Sequence, residues 1–567
     1  MRRFILLALT SVIAATQHPI AQQPDPIKAA SDALGATALK TLRFTGFGSS
    51  FTVGQNPRPT EPWPKVAIKT YEAVIDYDAA AMKVDMTRVQ GPVPPRGGGQ
   101  PFTGEQRQVQ AVNGTTAWNE VFGAQADAGR AGGAGAASSD GRLTIDQIFE
   151  IAGVGRGAPP QDGEAGRGRG AGRGGRGGAA PPRPAGQVQP APAAAIERML
   201  QIWTTPHGFL KAAVANKATS QKVASGTDVS FTVAGKYKLT GHINGSNEVE
   251  RVSTWIDNPV LGDMPIETTF SNYARVTSEL SFPTHIVQQQ GGFPALELWV
   301  SLVEPNPTVE LAAPDAAKDA TPPPLRVEVQ KVGSGIYWLT GGTHHSVAIE
   351  MRDHVVLVEA PLNEERSNAV IARVTETIPS KPIRFVVNTH HHFDHSGGLR
   401  TLVDEGATVV THTMNRDFYA KAWAAPRTLN PDRLAKSKKM PLFQPFLDKT
   451  VLTDGARTIE LHRIANSPHH DGFALVYVPA EKILIEADAF TPVDPPPAQP
   501  PPAAAQTTGA ARGGQPPPPP PVNPATVNLY QNITRLKLNV AQIVPLHGAR
   551  VATLEELAKV ASQSGTQ

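Results

Sequence analysis

The residues of this chain best suited to chemistry stand in one six-residue run, His390-His391-His392-Phe393-Asp394-His395. Residues two apart in extended backbone project to the same side, so His390 and His392 can hold one metal ion together. Asp394 and His395 follow where the loop turns, and they can face a second ion beside the first. Imidazole and carboxylate are the donors that zinc accepts when thiolate is absent, and the chain has no cysteine. A solvated cluster or a nickel-binding tract has a similar composition, but it usually lacks flanking structure. Here the apolar stretch from Ile383 to Asn388 reads as a strand that ends just before the run. Ser396-Gly397-Gly398 follow it and open a helix through Leu402 and Val403. Ligand sites in α/β proteins favour such carboxyl ends of strands.

The order strand, His-x-His-x-Asp-His, Gly-Gly, helix resembles the metallo-β-lactamase superfamily. The resemblance spans roughly residues 325–560 and implies an αβ/βα sandwich: two facing sheets, helices outside, metals at the shared edge. It also implies three further ligands, each after a strand. Asn466-Ser467-Pro468-His469-His470-Asp471-Gly472 precedes a strand ending at Pro479 and offers His469, with His470 as the alternative if the loop slips by one. The strand-like run from Lys482 to Ala487 delivers Asp488, matching the aspartate that bridges both ions in relatives. Glu486-Ala487 depart from the small residues usual there. Ile543-Val544-Pro545-Leu546-His547-Gly548 supplies the last histidine.

The implied set is therefore His390, His392 and His469 on the first metal and Asp394, His395 and His547 on the second, with Asp488 between. Two such ions, about 3.5–4 Å apart, would activate a shared water toward hydroxide near neutral pH. Asp394 would also serve as the catalytic proton shuttle. The cofactors implied are two divalent ions, zinc by ligand type. His344 and His345, in the turn Thr343-His344-His345-Ser346, are read as exposed loop residues or as substrate contacts. His412 is read as a polar strand terminus, and the aromatic helix 413–424 with Phe418, Tyr419 and Trp423 as packing.

Elements that position these residues follow from pattern. Gly335 to Leu339 and Ser346 to Glu350 read as hairpin strands leading to a buried strand at His354 to Glu359, then a helix from about Arg366 to Thr377. Strands alternating with helices indicate an α/β domain at 325–560. A Pro-rich insertion at 492–524 interrupts it before a helix at 524–538 and a strand at Ala541 to Val544. A Pro/Ala/Asp linker at 313–324 precedes the domain.

The N-terminal half differs. Alternating runs such as Lys65 to Tyr77 and Met82 to Val89 predict strands, as do several runs between 228 and 302. Few helices intervene apart from Ala195 to Ala215. This predicts an antiparallel β-rich (α+β) domain, one curved sheet built from residues 28–122 and 196–304. Between them, 123–195 is a Gly/Ala/Arg/Pro-rich insertion that cannot bury enough apolar surface to order itself, interrupted by a short helix-like run at Leu143 to Ile151. Trp255 to Pro305 resembles periplasmic lipoprotein-carrier-like sheets, with Leu261 to Met264 in a hairpin and Phe282-Pro283 before a late strand. A plain scaffold domain is the other reading.

Arg2-Arg3 before the apolar stretch Phe4 to Ala15, with small residues up to Ala21, reads as a signal peptide over 1–21. That stretch is shorter than the ~20 residues that span a bilayer. The chain is expected to be secreted or periplasmic, without a transmembrane anchor. The net charge of +3 is too small to argue for nucleic acid as the main partner, and the Gly/Arg run at 166–176 is read as a solvated linker. A small molecule is the expected substrate; the oligomeric state is left open. The function expected is hydrolysis of an ester, lactone, thioester or amide-type bond. The alternative is a periplasmic binding or scaffold protein whose C-terminal domain is non-catalytic or acts as a nuclease or redox-associated module.

Overall fold

The structure is a computed structural model, which describes residues 25–91, 96–98, 104–122, 186–492 and 522–563. The expected signal peptide, the helix-like run at 143–151 and most of both low-complexity stretches lie outside the described residues. Among the described residues, no helix is long and apolar enough to cross a membrane.

The N-terminal half forms one thirteen-stranded sheet. Alternation explains its strands: along Lys65–Asp76, buried positions such as Val66, Ile68 and Tyr71 are separated by exposed or half-buried ones. Every neighbouring pair is antiparallel, and the two halves meet where Thr41–Phe51 pairs with Phe293–Pro305. A single apolar core joins Val112 and Ala117, near one edge, to Val229 and Phe231, near the other. Strands near opposite edges of a flat sheet would lie about 48 Å apart at ~4.8 Å per strand. The sheet therefore curls around the helices Pro26–Leu34, Ala195–Trp203 and Pro206–Ala215, whose apolar residues fill its interior.

Two boundaries differ from the sequence expectation. The insertion assigned to 123–195 gives way to order earlier, because Gln187–Pro190 pairs with Thr116–Val121 at the sheet edge and Pro192–Ala194 forms a short 3-10 turn. An open edge offers backbone partners to any extended segment, and Pro is tolerated at an edge. The linker at 313–324 is also docked: Ala317, in the turn Asp315–Ala317, is buried against Ala111 and Trp118.

The C-terminal half contains a seven-stranded and a six-stranded sheet. The first runs antiparallel from Glu328–Gly333 through Ile336–Thr340 and Ser346–Glu350 to Val355–Val358, then parallel through Ile383–Val387 and Thr408–His412 to Phe443–Phe446. The second runs Lys449–Thr453, Thr458–Arg463, Ala474–Val478, Ile483–Glu486, Gln542–Pro545, Ala552–Thr553, with one parallel pair where Ile483–Glu486 meets Gln542–Pro545. One core contains Val347, Ile349 and Val356 of the first sheet with Leu461, Val476 and Ile485 of the second, so the sheets pack face to face. The opposite face of the first sheet buries Leu357 and Val386 with Val370 and Val374 of helix Glu364–Thr377. Asn363 caps that helix by accepting from the Arg366 amide at 2.9 Å. Strands buried on both sides read as unbroken apolar runs, as Val355–Val358 does.

Arg198 ties the N-terminal helices to their sheet. Its buried guanidinium donates to the Ala111 and Trp118 carbonyls at 3.0 and 2.6 Å and to Asn119 Oδ1 at 2.6 Å. Burial lowers its pKa to about 10, leaving it charged at neutral pH. Arg198→Ala strands three acceptors in a dry interface, and we expect a loss of about 3 kcal/mol of stability for the N-terminal domain. Denaturant unfolding followed by tryptophan fluorescence measures it; an unchanged midpoint would remove Arg198 from this role.

Candidate metal centre

The loops that leave the carboxyl ends of strands in both sheets converge at one edge of the C-terminal domain. His390 and His392 follow Ile383–Val387, and Asp394 and His395 lie in the single helical turn Phe393–Ser396. His469 stands in the loop before Ala474–Val478, Asp488 follows Ile483–Glu486, and His547 follows Gln542–Pro545. Backbone bonds stitch the two sheets together here. Thr389 accepts from the Ala474 amide at 3.0 Å, and Leu546 accepts from the His345 amide at 2.9 Å.

These side chains form two groups. In one, ligand atoms of His390, His392, His469 and Asp488 all lie within 4.8 Å of one another; in the other, the same holds for His344, Asp394, His395 and His547. Asp488 stands between them. Its Oδ2 lies 2.9 Å from the Nε2 atoms of both His390 and His469, and its Oδ1 lies 2.9 Å from His547 Nε2. His395 Nε2 is 3.1 and 3.2 Å from the two oxygens.

The proton bookkeeping of these contacts fits a cation. His390 and His469 turn Nε2 atoms toward each other at 3.2 Å, as His395 and His547 do at 2.9 Å. One proton between each pair would make an ordinary hydrogen bond, but the Nε2 atoms of His390, His469 and His547 also face Asp488 oxygens, so several donor atoms converge on the same space. His392 is more explicit. Its Nε2 lies 3.0 Å from the Asn56 carbonyl, which can only accept, so the proton is on Nε2. Its Nδ1 lone pair is then buried, with no partner among the described residues. Neutral imidazole is the ligating form, and burial together with the neighbouring His395 lowers His390 to about 3. Burial and the adjacent His390 likewise hold His392 well below its usual range. Burial alone would raise the carboxyls of Asp394 and Asp488, but His395 and the surrounding imidazoles outweigh it and hold both well below their usual range. The donor set thus suits divalent ions of the zinc class.

Supporting groups fix the rings. Thr389 Oγ1 lies 2.9 Å from His390 Nδ1, and Asn388 donates to the His390 carbonyl at 2.6 Å. Buried Glu359 accepts from the Thr389 amide at 2.6 Å, and its other oxygen lies 3.6 Å from His395 Nδ1. Glu486, the departure noted in sequence, does not join either group. Its carboxyl accepts from the Ala489 and Phe490 amides at 3.0 and 3.1 Å and shapes the turn that presents Asp488. Burial, reinforced by Asp488, pushes it well above the usual carboxyl range.

The seven residues singled out in sequence are all brought to this centre. His469 joins the first group, whereas His470 turns away and places Nε2 2.5 Å from His391 Nδ1. His344 and His345 require correction, since both are buried rather than exposed. His344 Nε2 lies 3.1 Å from Asp394 Oδ2, and its backbone pairs with His547. His345 donates to the Gly548 carbonyl at 2.9 Å. That pairing folds the turn inward, and it arises between residues 203 apart in sequence, beyond any local pattern. His412 caps the helix Thr413–Trp423, accepting from the Met414 amide at 3.3 Å. Tyr419 of that helix donates to Asn388 Oδ1 at 2.7 Å, and Trp423 stacks on Tyr419. Gln55 and Asn56 of the N-terminal half also reach the centre, and no sequence signal marked them.

Residues 339–540 match the family model described as the metallo-beta-lactamase superfamily. A linear primary-alkylsulfatase from Pseudomonas sp is 30% identical over 100 residues, which are 16% of this chain and 15% of that protein. The match thus spans well under two thirds of that relative's length. Among solved structures, a metallo-beta-lactamase from Pontibacter korlensis is 18% identical, covering 43% of this chain and 100% of its own, with a TM-score of 0.30. One from Hirschia baltica is 19% identical, covering 42% of this chain and 97% of its own, with a TM-score of 0.28. Residues 339–540 of this chain belong to the metallo-beta-lactamase superfamily.

Proposed function

We propose that the chain is an exported hydrolase working with two zinc-class ions on an ester, lactone, thioester or amide-type bond. The observation that carries the reading is the carboxylate of Asp488, whose two oxygens face two separate groups of imidazoles. His390, His392 and His469 would hold one ion, Asp394, His395 and His547 the other, and Asp488 would touch both. When bound, such a pair supplies Lewis acidity and an activated water near neutral pH.

The chain's own residues do the rest. Asn56 holds the His392 proton on Nε2 and leaves Nδ1 free to ligate. Asp394 is buried in the second group, and in this reading it would also serve as the proton shuttle. Burial of His390, His392, Asp394 and His395 excludes bulk water and strengthens every charge interaction at the centre. The αβ/βα arrangement implied in sequence is supported by two sheets sharing one core. The Gly/Ala/Arg/Pro-rich stretch at 123–195 and the Pro-rich stretch at 492–524 are read as insertions, and the signal-like N-terminus supports export to the periplasm or beyond. A second reading, sulfate-ester hydrolysis, is favoured by the alkylsulfatase match.

Purified protein should carry close to two zinc-class ions per chain by elemental analysis, and His392→Ala should lower that content. Metal-free wild type would sink the reading. Against a panel of ester, thioester, lactone, β-lactam, sulfate-ester and phosphodiester substrates, we expect turnover that chelator abolishes. We also expect His392→Ala to reduce it by at least about 100-fold, in line with the loss of a metal-activated nucleophile. Chelator-resistant turnover, or unchanged turnover in the variant, would overturn the mechanism; selective turnover of the sulfate ester would favour the second reading.

A further inference from the structure

The centre is not built by the C-terminal domain alone. The segment between Phe51 and Lys65 leaves the N-terminal sheet and lies directly on the loops that carry His390–His395 and His469. Gln55 donates from Nε2 to Asp394 Oδ1 at 2.8 Å, in a fully buried contact. Asn56 Oδ1 lies 2.8 Å from His391 Nε2, and the Asn56 carbonyl accepts from His392. Gly54 accepts from the Phe393 amide at 3.3 Å, and Pro57 accepts from the Asp471 amide at 3.0 Å. Arg58 and Arg96 both pair with Asp471. Apolar packing of Trp63 and Val53 on Phe393 completes the seat.

The contact on Asp394 has a chemical consequence. A carboxylate beside a metal can rotate, present either oxygen or take both to the ion. Here Oδ1 is occupied by the Gln55 amide, while Oδ2 is the oxygen near His344 and His395, at 3.1 and 3.8 Å. An amide donor at 2.8 Å opposes that rotation and favours one oxygen facing the second group. The seat around Gln55 is tight: a Cβ on Gly98 would fall 1.7 Å from Gln55 Oε1. The amide therefore has little room to swing away.

We propose that the segment 52–64 is a working part of the metal centre and that Gln55 is a positioning residue, fixing Asp394 so that Oδ2 alone faces the second ion. This rests on the two-metal reading above. On this view the N-terminal sheet domain holds the second ion's site in shape as well as scaffolding the chain.

The test is titration of metal-free full-length protein with Co²⁺, read by its visible absorption and by competition with a chelator. Wild type should take two equivalents with distinguishable spectra. Gln55→Met and Gln55→Leu, both close to the native shape, should weaken the second equivalent by about 10-fold or more, as loss of a group that orients a ligand does. Its absorption band should shift, and the first equivalent should keep its affinity. Thermal melting of the metal-free proteins checks that both variants are folded, and the near-isosteric Met variant keeps the test valid if Leu is not. Two equivalents with wild-type affinity and spectra in a folded variant would overturn the role of Gln55 and leave the two-metal reading standing. A wild type that takes up no Co²⁺ would overturn both.

Discussion

A carboxylate buried among imidazoles must be compensated, and in this molecule Asp488 is that carboxylate. Removing a charge from water costs several kcal/mol unless partners replace the lost hydration. Its partners come from three loops: His390 and His395 from one, His469 from another and His547 from a third. No single segment could supply them. Both sheets must therefore end at the same edge, and the connections must present their side chains inward together.

The architecture meets that demand by dividing labour between rigid strands and short loops. The loops that carry Asp488 and His547 follow strands whose residues are almost wholly buried, so their points of departure are fixed by packing. The loops are then held by bonds that do not touch the centre itself. Glu359 anchors the Thr389 amide, Glu486 shapes the turn after Asp488, and Tyr419 and Asn388 brace the His390 backbone. Two of these braces are buried carboxyls, costly to bury unless each finds amide donors. That expense makes sense beside a cluster that must hold its geometry, since ligand orientation depends on groups behind the ligands.

The N-terminal sheet adds a second constraint. Its curl encloses a core of its own, and one connection reaches across to Asp394, His391 and His392. Further contacts, from Arg427 to the Pro259 carbonyl and from Thr428 and Leu429 to Asp263, lie elsewhere on the same junction. The two halves are thus joined through polar bonds at defined atoms and by packing of Trp63 on Phe393. Such a junction fixes orientation more strictly than apolar contact alone, because hydrogen bonds are directional.

Read in sequence, the His390–His395 run carried its own context, because a strand, a spacing of two and a Gly-Gly entry are all local features. The order of His469, Asp488 and His547 was legible too, since His469 stands just before one apolar strand-like run and Asp488 and His547 just after two others. The strand-rich N-terminal half and the α/β rhythm after it were likewise written in periodicity. Tertiary structure alone decided the rest. It turned His344 inward through pairing with His547, set His469 rather than His470 beside His390, and brought Gln55 to Asp394 across 339 positions of sequence. Glutamine in a loop carries no periodic or spacing signal, so its role exists only once two separate cores have packed. The chain's local chemistry determined which groups could hold a metal; the packing of sheets determined which atoms meet.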